Sequence, residues 1–308
     1  MNSMFDYILV RIHKLSRKLR FLTALKVHCW GGLGSQLFAV AVYFQLKNRF
    51  PKRSMILVLH DGGVTKRISE IEGIFSEINT KQIHDFSNPA DKESTNQKRQ
   101  KYVLRFIKGI LKKFHVVLTL DSGDDFQSVL PWTLSIRGHY SYRRISSNAV
   151  ALLLSRLSPS GKDRLQKDMS GPIQVGVHYR LGDLVNLASK SPLDVKRVSQ
   201  VLSDALTSSE TSEIKVFSDS PEIAAGLLQK DMPHRSIVSE EMPTWETIGL
   251  LSRSRIFVGT FSKVSIWIVI LRYFSKDAKL SYMPAESQNN LELLLGAPLD
   301  KSRVVYYR

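Results

Sequence analysis

The sequence predicts an α/β protein of two halves, each built on a parallel sheet, with a ligand cleft between them. Three observations lead there. Short apolar runs alternate with helically spaced segments through the second half, and strands separated by helices make βαβ units and parallel sheets. The first half opens with the same strand, turn and helix order around residues 25–46. Near the middle, Ser158, Pro159, Ser160, Gly161, Gly171 and Pro172 gather in one stretch. That stretch predicts a boundary, with domains at residues 1–165 and 166–308. In such a layout ligands bind at the carboxyl ends of the strands.

Element by element, residues 7–25 space Ile8, Ile12, Leu15, Leu19 and Leu22 helically, with Arg11, Lys14, Arg17, Lys18 and Arg20 between them. Residues 25–30 read as a strand running into Gly31, Gly32 and Gly34. Leu37, Phe38, Ala41, Val42 and Leu46 mark the following helix, closed by Pro51, and residues 55–59 are a second strand. The polar stretch 83–100 predicts a loop. Tyr102, Phe106, Ile110 and Phe114 then form one face of a helix that carries Arg105, Lys108, Lys112 and Lys113. In the second half, strands are expected at 173–177, 214–217, 236–238 and 256–259. Helices are expected at 195–206, 221–228, 245–252 and 264–273, the last of them buried.

The 308 residues are 43% hydrophobic and 23% charged, the make-up of a globular protein rather than a disordered one. No apolar run reaches the ~20 residues that span a bilayer. The N-terminal apolar patch precedes its basic residues, the reverse of a secretory signal. The single cysteine, Cys29, excludes an intrachain disulfide and reads as a buried residue at a strand end. A reducing, cytoplasmic setting is expected. The net charge of +16 is uneven: residues 1–150 carry 24 Lys and Arg against 11 Asp and Glu, residues 151–308 carry 20 against 17. A basic half expects an anionic partner, and the two cationic amphipathic segments, 7–25 and 98–114, fit the surface of an anionic membrane. Nucleic acid is the alternative partner. No helix-turn-helix, finger or RNP motif is present, and aromatic residues do not interleave with the basic runs, so no nucleic acid is expected.

Four turns carry candidate chemistry. Gly31-Gly32-Leu33-Gly34-Ser35-Gln36 lies between strand and helix, where glycines admit a phosphate and the helix start offers free N–H groups. Its bland reading is a tight turn. His178-Tyr179-Arg180-Leu181-Gly182-Asp183 follows a strand. Arg180 can grip a diphosphate with its fork and offset charge on a departing group, with Asp183 orienting it, or else the two form a surface ion pair. Ser218-Asp219-Ser220-Pro221 presents an acid that can accept from a guanine edge, or an N-cap with proline at the first helical position. Gly259-Thr260-Phe261-Ser262 offers hydroxyls at a helix start, suited to a phosphate or to capping. Three of these turns occupy the same place in successive βα units, and together they define a nucleoside-diphosphate site.

Residues 30–38 resemble the opening G-G-L-G-N-Q-[LM]-F of the α-1,2-fucosyltransferase family, and residues 178–183 resemble its H-x-R-R-G-D. Phe217-Ser218-Asp219 resembles F-S-D-D, and Gly138-His139-Tyr140 resembles G-Y-[WF]-Q-S. Residues 259–262 are closer to the T-F-S-S of the α-1,6-fucosyltransferases. The motifs follow the family order over residues 27–270. The resemblance implies an inverting, metal-independent transferase of the GT-B type, with two Rossmann-like domains. GDP-fucose would sit in the second half and a glycan acceptor, lipid-linked in polysaccharide assembly at the inner face of the cytoplasmic membrane, at the first. Gly32, Gly34, Ser35 and Gln36 are carried over with the first motif. Arg180 would contact the β-phosphate and His178 line the donor site. Asp219 would read guanine, and Thr260 with Ser262 would hold the pyrophosphate. Ser35, Leu181 and Ser220 stand where the family has Asn, a second Arg and a second Asp, and Lys263 and Ile266 interrupt the last motif. A transferase of the same fold using another sugar nucleotide is the neighbouring reading.

Asp61, Asp121 and His139 are candidates for a base in the first half. Asp124-Asp125 lies in a polar loop and reads as solvated. No D-x-D follows a strand in the second half and no His/Cys ligand spacing occurs, so no metal or other cofactor is expected.

Overall fold

The computed structural model describes residues 24–62, 69–84, 119–121, 129, 133–138, 140–167, 173–181, 194–206, 213–277, 279–296 and 298–308. Packing divides the chain into two compact units, residues 1–70 with 77–140 and residues 71–76 with 141–308. Both are built on parallel sheets.

In the first unit, strands β1 (Leu25–Trp30), β2 (Met55–His60), β3 (Thr80–Ile83), β4 (Thr119–Asp121) and β5 (Ser135–Arg137) take the order β3-β2-β1-β5-β4. All four pairings are parallel. β2 reads Met-Ile-Leu-Val-Leu-His and is buried along almost its whole length. A parallel strand covered on both faces needs such a continuous apolar run rather than an alternating one. Helix α1 (Leu33–Arg49) is apolar on most of its circumference and correspondingly buried. Cys29 is buried within β1.

In the second unit, strands β6 (Val175–His178), β7 (Glu213–Phe217), β8 (Ser236–Glu240), β9 (Ile256–Gly259), β10 (Leu280–Pro284) and β11 (Val304–Tyr307) form an all-parallel sheet. Its order is β11-β10-β9-β6-β7-β8. The chain therefore lays β6, β7 and β8 outward in one direction, then returns to the other side of β6 with β9. This reversal makes the carboxyl ends of β6 and β9 a topological switch point, where open α/β sheets bind ligands. Helices α4 (Val195–Leu206), α5 (Pro221–Asp231), α6 (Thr244–Arg253) and α7 (Lys263–Tyr273) follow β6, β7, β8 and β9 in the chain. Val175, Val177, Leu202, Val216 and Leu228 share one core cluster. Helix α7 is buried without a break from Ser265 to Ile270, as its apolar sequence requires.

The division between units falls at 140/141 rather than in the 158–172 stretch. There the small residues serve a packed helix, α3 (Pro159–Gln166), which follows α2 (Ser147–Ser155) in the second unit. Ser158 caps it, its Oγ accepting from the Gly161 N–H at 2.9 Å, and Pro159 takes the first turn. A Cβ on Gly161 would fall 2.0 Å from the Ile74 carbonyl oxygen, and one on Gly249 of α6 would fall 2.1 Å from that of Leu165. Trp245 Nε1 donates to the Gly161 carbonyl at 2.8 Å. Glycine at 161 and 249 marks close backbone contact, not a linker. The cationic segments expected at 7–25 and 98–114 lie outside the described residues, apart from Ala24 and Leu25, both buried. No helix among the described residues is long and apolar enough to cross a membrane.

Candidate functional site

Three turns at the carboxyl ends of β9, β6 and β7, the adjacent central strands of the second unit, are tied together by hydrogen bonds. Between β6 and β9, the Thr260 N–H and Oγ1 both donate to the His178 carbonyl at 3.1 Å. Thr260 Oγ1 in turn accepts from the Arg180 N–H at 3.0 Å. Between β6 and β7, the Tyr179 N–H donates to the Phe217 carbonyl at 2.9 Å, and the Leu181 N–H donates to Asp219 Oδ1, also at 2.9 Å. Thus His178, Arg180, Asp219, Thr260 and Ser262, five of the residues expected from the sequence, are brought to one edge of one sheet.

His178 is buried, and its Nδ1 lies 2.8 Å from Ser265 Oγ and 3.3 Å from Ser262 Oγ. Ser262 caps α7, accepting from the Ser265 N–H at 3.0 Å, and its hydroxyl donates to Ser265 Oγ at 3.1 Å. Ser265 is then left to donate to Nδ1, which puts the imidazole proton on Nε2. Burial lowers the His178 pKa to about 4, against a raising influence of Asp219, and Arg180 lowers it further. The ring is therefore neutral at pH 7. Because the folded pKa lies below the ordinary 6.5, folding stability held above pH 6.5 is lost as pH falls toward 4. The loss expected is on the order of 3 kcal/mol. Urea midpoints measured from pH 7.5 to 4 should fall less steeply for His178→Asn than for the wild type. Equal slopes would contradict the assignment.

The hydroxyls of Thr260 and Ser262 are committed inside the turn, and both residues are almost fully buried. They hold the backbone in shape. Ser220 stands at the N-cap of α5 without a side-chain capping bond, since Ser218 Oγ accepts the Ser220 N–H at 3.0 Å. Pro221 occupies the first turn as expected.

Gly32, Gly34, Ser35 and Gln36 belong to the first unit, and the turns above to the second. Gly31 adopts φ +94°, open to glycine, and Gly32 caps α1. Buried Gln36 donates from Nε2 to the Gly31 carbonyl at 3.0 Å and accepts the Glu70 N–H at Oε1, also at 3.0 Å. Glu70 Oε1 accepts the Leu33 N–H at 3.2 Å. A carboxylate thus already stands where the sequence suggested phosphate, at the start of α1, and like charge disfavours a second anion there. Tyr140, from the motif at 138–140, places its hydroxyl 2.7 Å from the His28 carbonyl and 3.0 Å from that of Ile136, bracing β1 to β5.

Asp61 is buried and accepts from the exposed imidazole of His84 at 2.9 Å. Beside it His28 Nδ1 and His60 Nε2 lie 2.8 Å apart, and Trp30 stacks on His60 with centroids 4.1 Å apart. Asp121 ends β4. Asp183, His139, Asp124 and Asp125 lie outside the described residues. Among the described residues no three His, Cys, Asp or Glu side chains come together to hold a metal ion.

Sequence reasoning missed Glu70 and Tyr307, and reached Ser265 only as the end of the fourth motif, with no role given to it. The three-residue spacing of Ser262 and Ser265 was a readable capping signal. Tyr307, whose hydroxyl donates to the Gly259 carbonyl at 2.8 Å, is 48 residues away in sequence and gave none.

No protein-family model and no curated protein matches the chain. Among solved structures it is similar to POFUT1 in complex with GDP-fucose, at 11% identity and TM-score 0.47, covering 85% of this chain and 98% of that one. It is also similar to the E. coli heptosyltransferase WaaC with ADP, at 12% identity and TM-score 0.46, covering 92% of each chain. A third is the glycosyl transferase family 9 structure from Veillonella parvula DSM 2008, at 10% identity and TM-score 0.44, covering 85% and 81%. Likeness at this level does not assign the chain to any of them.

Proposed function

We propose that the second unit binds a nucleotide sugar and that the protein transfers the sugar to a hydroxyl of a glycan acceptor, with GDP-fucose as donor. The observation that carries this reading is the meeting of Arg180, neutral His178 and Asp219 at the switch point of a doubly wound parallel sheet. In the reaction the acceptor hydroxyl oxygen bonds to the anomeric carbon and gives its proton to a general base, for which Asp61, Asp121 and His139 are the candidates from the sequence; the bond from that carbon to the β-phosphate oxygen breaks, and the nucleoside diphosphate leaves with the electron pair. Arg180 offsets that charge, and His178 offers its Nε2 proton as a hydrogen-bond donor without adding charge. A carboxylate's two oxygens have room for several donors, so Asp219 can accept from a guanine edge while holding the Leu181 N–H. Thr260 and Ser262 act by shaping the turn, so that the pyrophosphate meets N–H groups at the start of α7 rather than their hydroxyls. Gly32, Gly34, Ser35 and Gln36 belong on this reading to the acceptor side. The membrane role of the basic segments, and a lipid-linked acceptor at the inner face of the cytoplasmic membrane, rest on the sequence.

Leu181 in place of a second arginine favours weighing other sugar nucleotides, so the test is a panel. GDP, UDP, ADP and dTDP with their sugar conjugates are screened for thermal stabilisation and hydrolysis in EDTA. GDP and GDP-fucose are expected to raise the midpoint most, with hydrolysis undiminished by chelation. No shift with any nucleotide would sink the transferase reading. A preference for another base would sink the donor, and a need for divalent metal the mechanism.

A further inference from the structure

We propose that Ile223 and Phe261 are the apolar contacts of the donor, Ile223 lying against the nucleobase and Phe261 against the transferred sugar. The proposal rests on reading the switch point as a nucleotide-sugar site. Three large hydrophobic side chains stand exposed among the described residues: Ile223 at 63%, Phe261 at 51% and Leu293 at 53%. A single exposed apolar residue is ordinary on a protein surface and by itself says nothing. Placement is what distinguishes these two. Phe261 lies in the turn after β9 and Ile223 in the first turn of the helix after β7, so they flank the β6 turn that carries Arg180.

The local structure fixes where each ring or branch is presented. Phe261 sits between Thr260 and Ser262, whose side chains are buried and hydrogen-bonded inward, so its backbone is held on both sides while its ring faces solvent. A platform fixed in this way loses little freedom when something stacks on it. Ile223 is the third residue of α5, and the residues that face the core from this helix are Ala224, Ala225 and Leu228. Its side chain is therefore spare to the fold, and it stands four residues after Asp219.

Charge and spacing order the ligand across these turns. Adjacent strands lie about 4.8 Å apart, so the β9 and β7 turns are separated by about 10 Å with β6 between them. The cation of Arg180 in the middle, with the N–H groups at the start of α7 beside it, takes the phosphates. Asp219, on the β7 side, takes the polar edge of the base, which leaves the base face to Ile223. The sugar then lies on the β9 side, where its C–H face meets the Phe261 ring.

The order gives a split between two ligands. GDP carries the base but no sugar, and GDP-fucose carries both. Isothermal titration of both ligands is made on the wild type, Ile223→Ser, Phe261→Ser and Phe261→Tyr. Ile223→Ser is expected to weaken both ligands alike, by about tenfold. Phe261→Ser is expected to leave GDP within about twofold and weaken GDP-fucose by about tenfold, with Phe261→Tyr close to wild type. Equal effects of Phe261→Ser on the two ligands, or none, would overturn the sugar contact. Unchanged GDP binding by Ile223→Ser would overturn the base contact. Should the wild type bind neither ligand, the assignment of GDP-fucose as donor falls and the proposal with it, while the nucleotide panel decides the transferase reading separately. Binding by the wild type without the split refutes the contacts alone.

Discussion

Replacing Arg180 by alanine is expected to lower GDP-fucose turnover by about 100-fold or more while leaving the fold in place. Both halves of that expectation come from the geometry. Two bonds that shape this turn use the main chain: the Arg180 N–H on Thr260 Oγ1, and the Leu181 N–H on Asp219 Oδ1. Truncating the side chain leaves both, so the melting midpoint should stay within a few degrees of wild type. What is lost is the cation that the proposed mechanism sets against the leaving diphosphate, in a site whose histidine is neutral and whose neighbouring turn contributes hydroxyls already engaged in the protein. Among the described residues of these turns, no other side chain supplies positive charge through a fork. Lysine at 180 should restore part of the rate, since it returns the charge but not the paired N–H geometry. Turnover by Arg180→Ala at the wild-type rate would mean that the charge is balanced elsewhere and that the proposed mechanism is wrong.

The central strands of the second unit were legible because a buried parallel strand leaves a short apolar run and its turn falls next in the sequence. Residues 256–259 show both, and the strand was read with the bounds it has. His178 extends β6 by one residue beyond its expected end, because its neighbours on β7 and β9 continue the ladder with Phe217 and Gly259. Strands β10 and β11 were not read. Leu-Ser-Tyr-Met-Pro and Val-Val-Tyr-Tyr are short, and what makes strands of them is pairing, of β10 with β9 and of β11 with β10. The same lack of local signal explains the boundary. Ser158-Pro159-Ser160-Gly161 has the composition of a linker and also that of a capped helix start, and only the approach of Ile74 decides between them. At the site, residue types were readable but their engagement was not. That Thr260 and Ser262 turn inward, and that Glu70 covers the start of α1, depends on partners as far as 84 residues away.

Arg272→Met is expected to produce the largest loss of stability, about 3–5 kcal/mol, read as a fall in the urea midpoint. Arg272 lies in α7 with 1% of its surface exposed. Its Nε donates to Ser281 Oγ at 2.8 Å. One terminal nitrogen donates to the carbonyls of Leu251 at 3.1 Å and Ser254 at 2.5 Å, the other to those of Arg255 at 3.2 Å and Leu280 at 2.6 Å. These carbonyls belong to the end of α6, the approach to β9 and the start of β10, so one guanidinium gathers the places where three elements begin or end. Burial lowers its pKa to about 9, which still leaves it charged at neutral pH. The charge faces the negative ends of several peptide dipoles, an arrangement that stands in for a carboxylate partner. Methionine fills a similar volume, so the loss reports the stranded carbonyls rather than a cavity, each of them costing about 1–3 kcal/mol if no water replaces the donor. Lysine keeps the charge but cannot reach acceptors on both sides of a planar fork, and should recover less than half of the difference. A loss under about 1 kcal/mol for Arg272→Met would show that these carbonyls find other donors, and that α6, β9 and β10 do not depend on this residue for their junction.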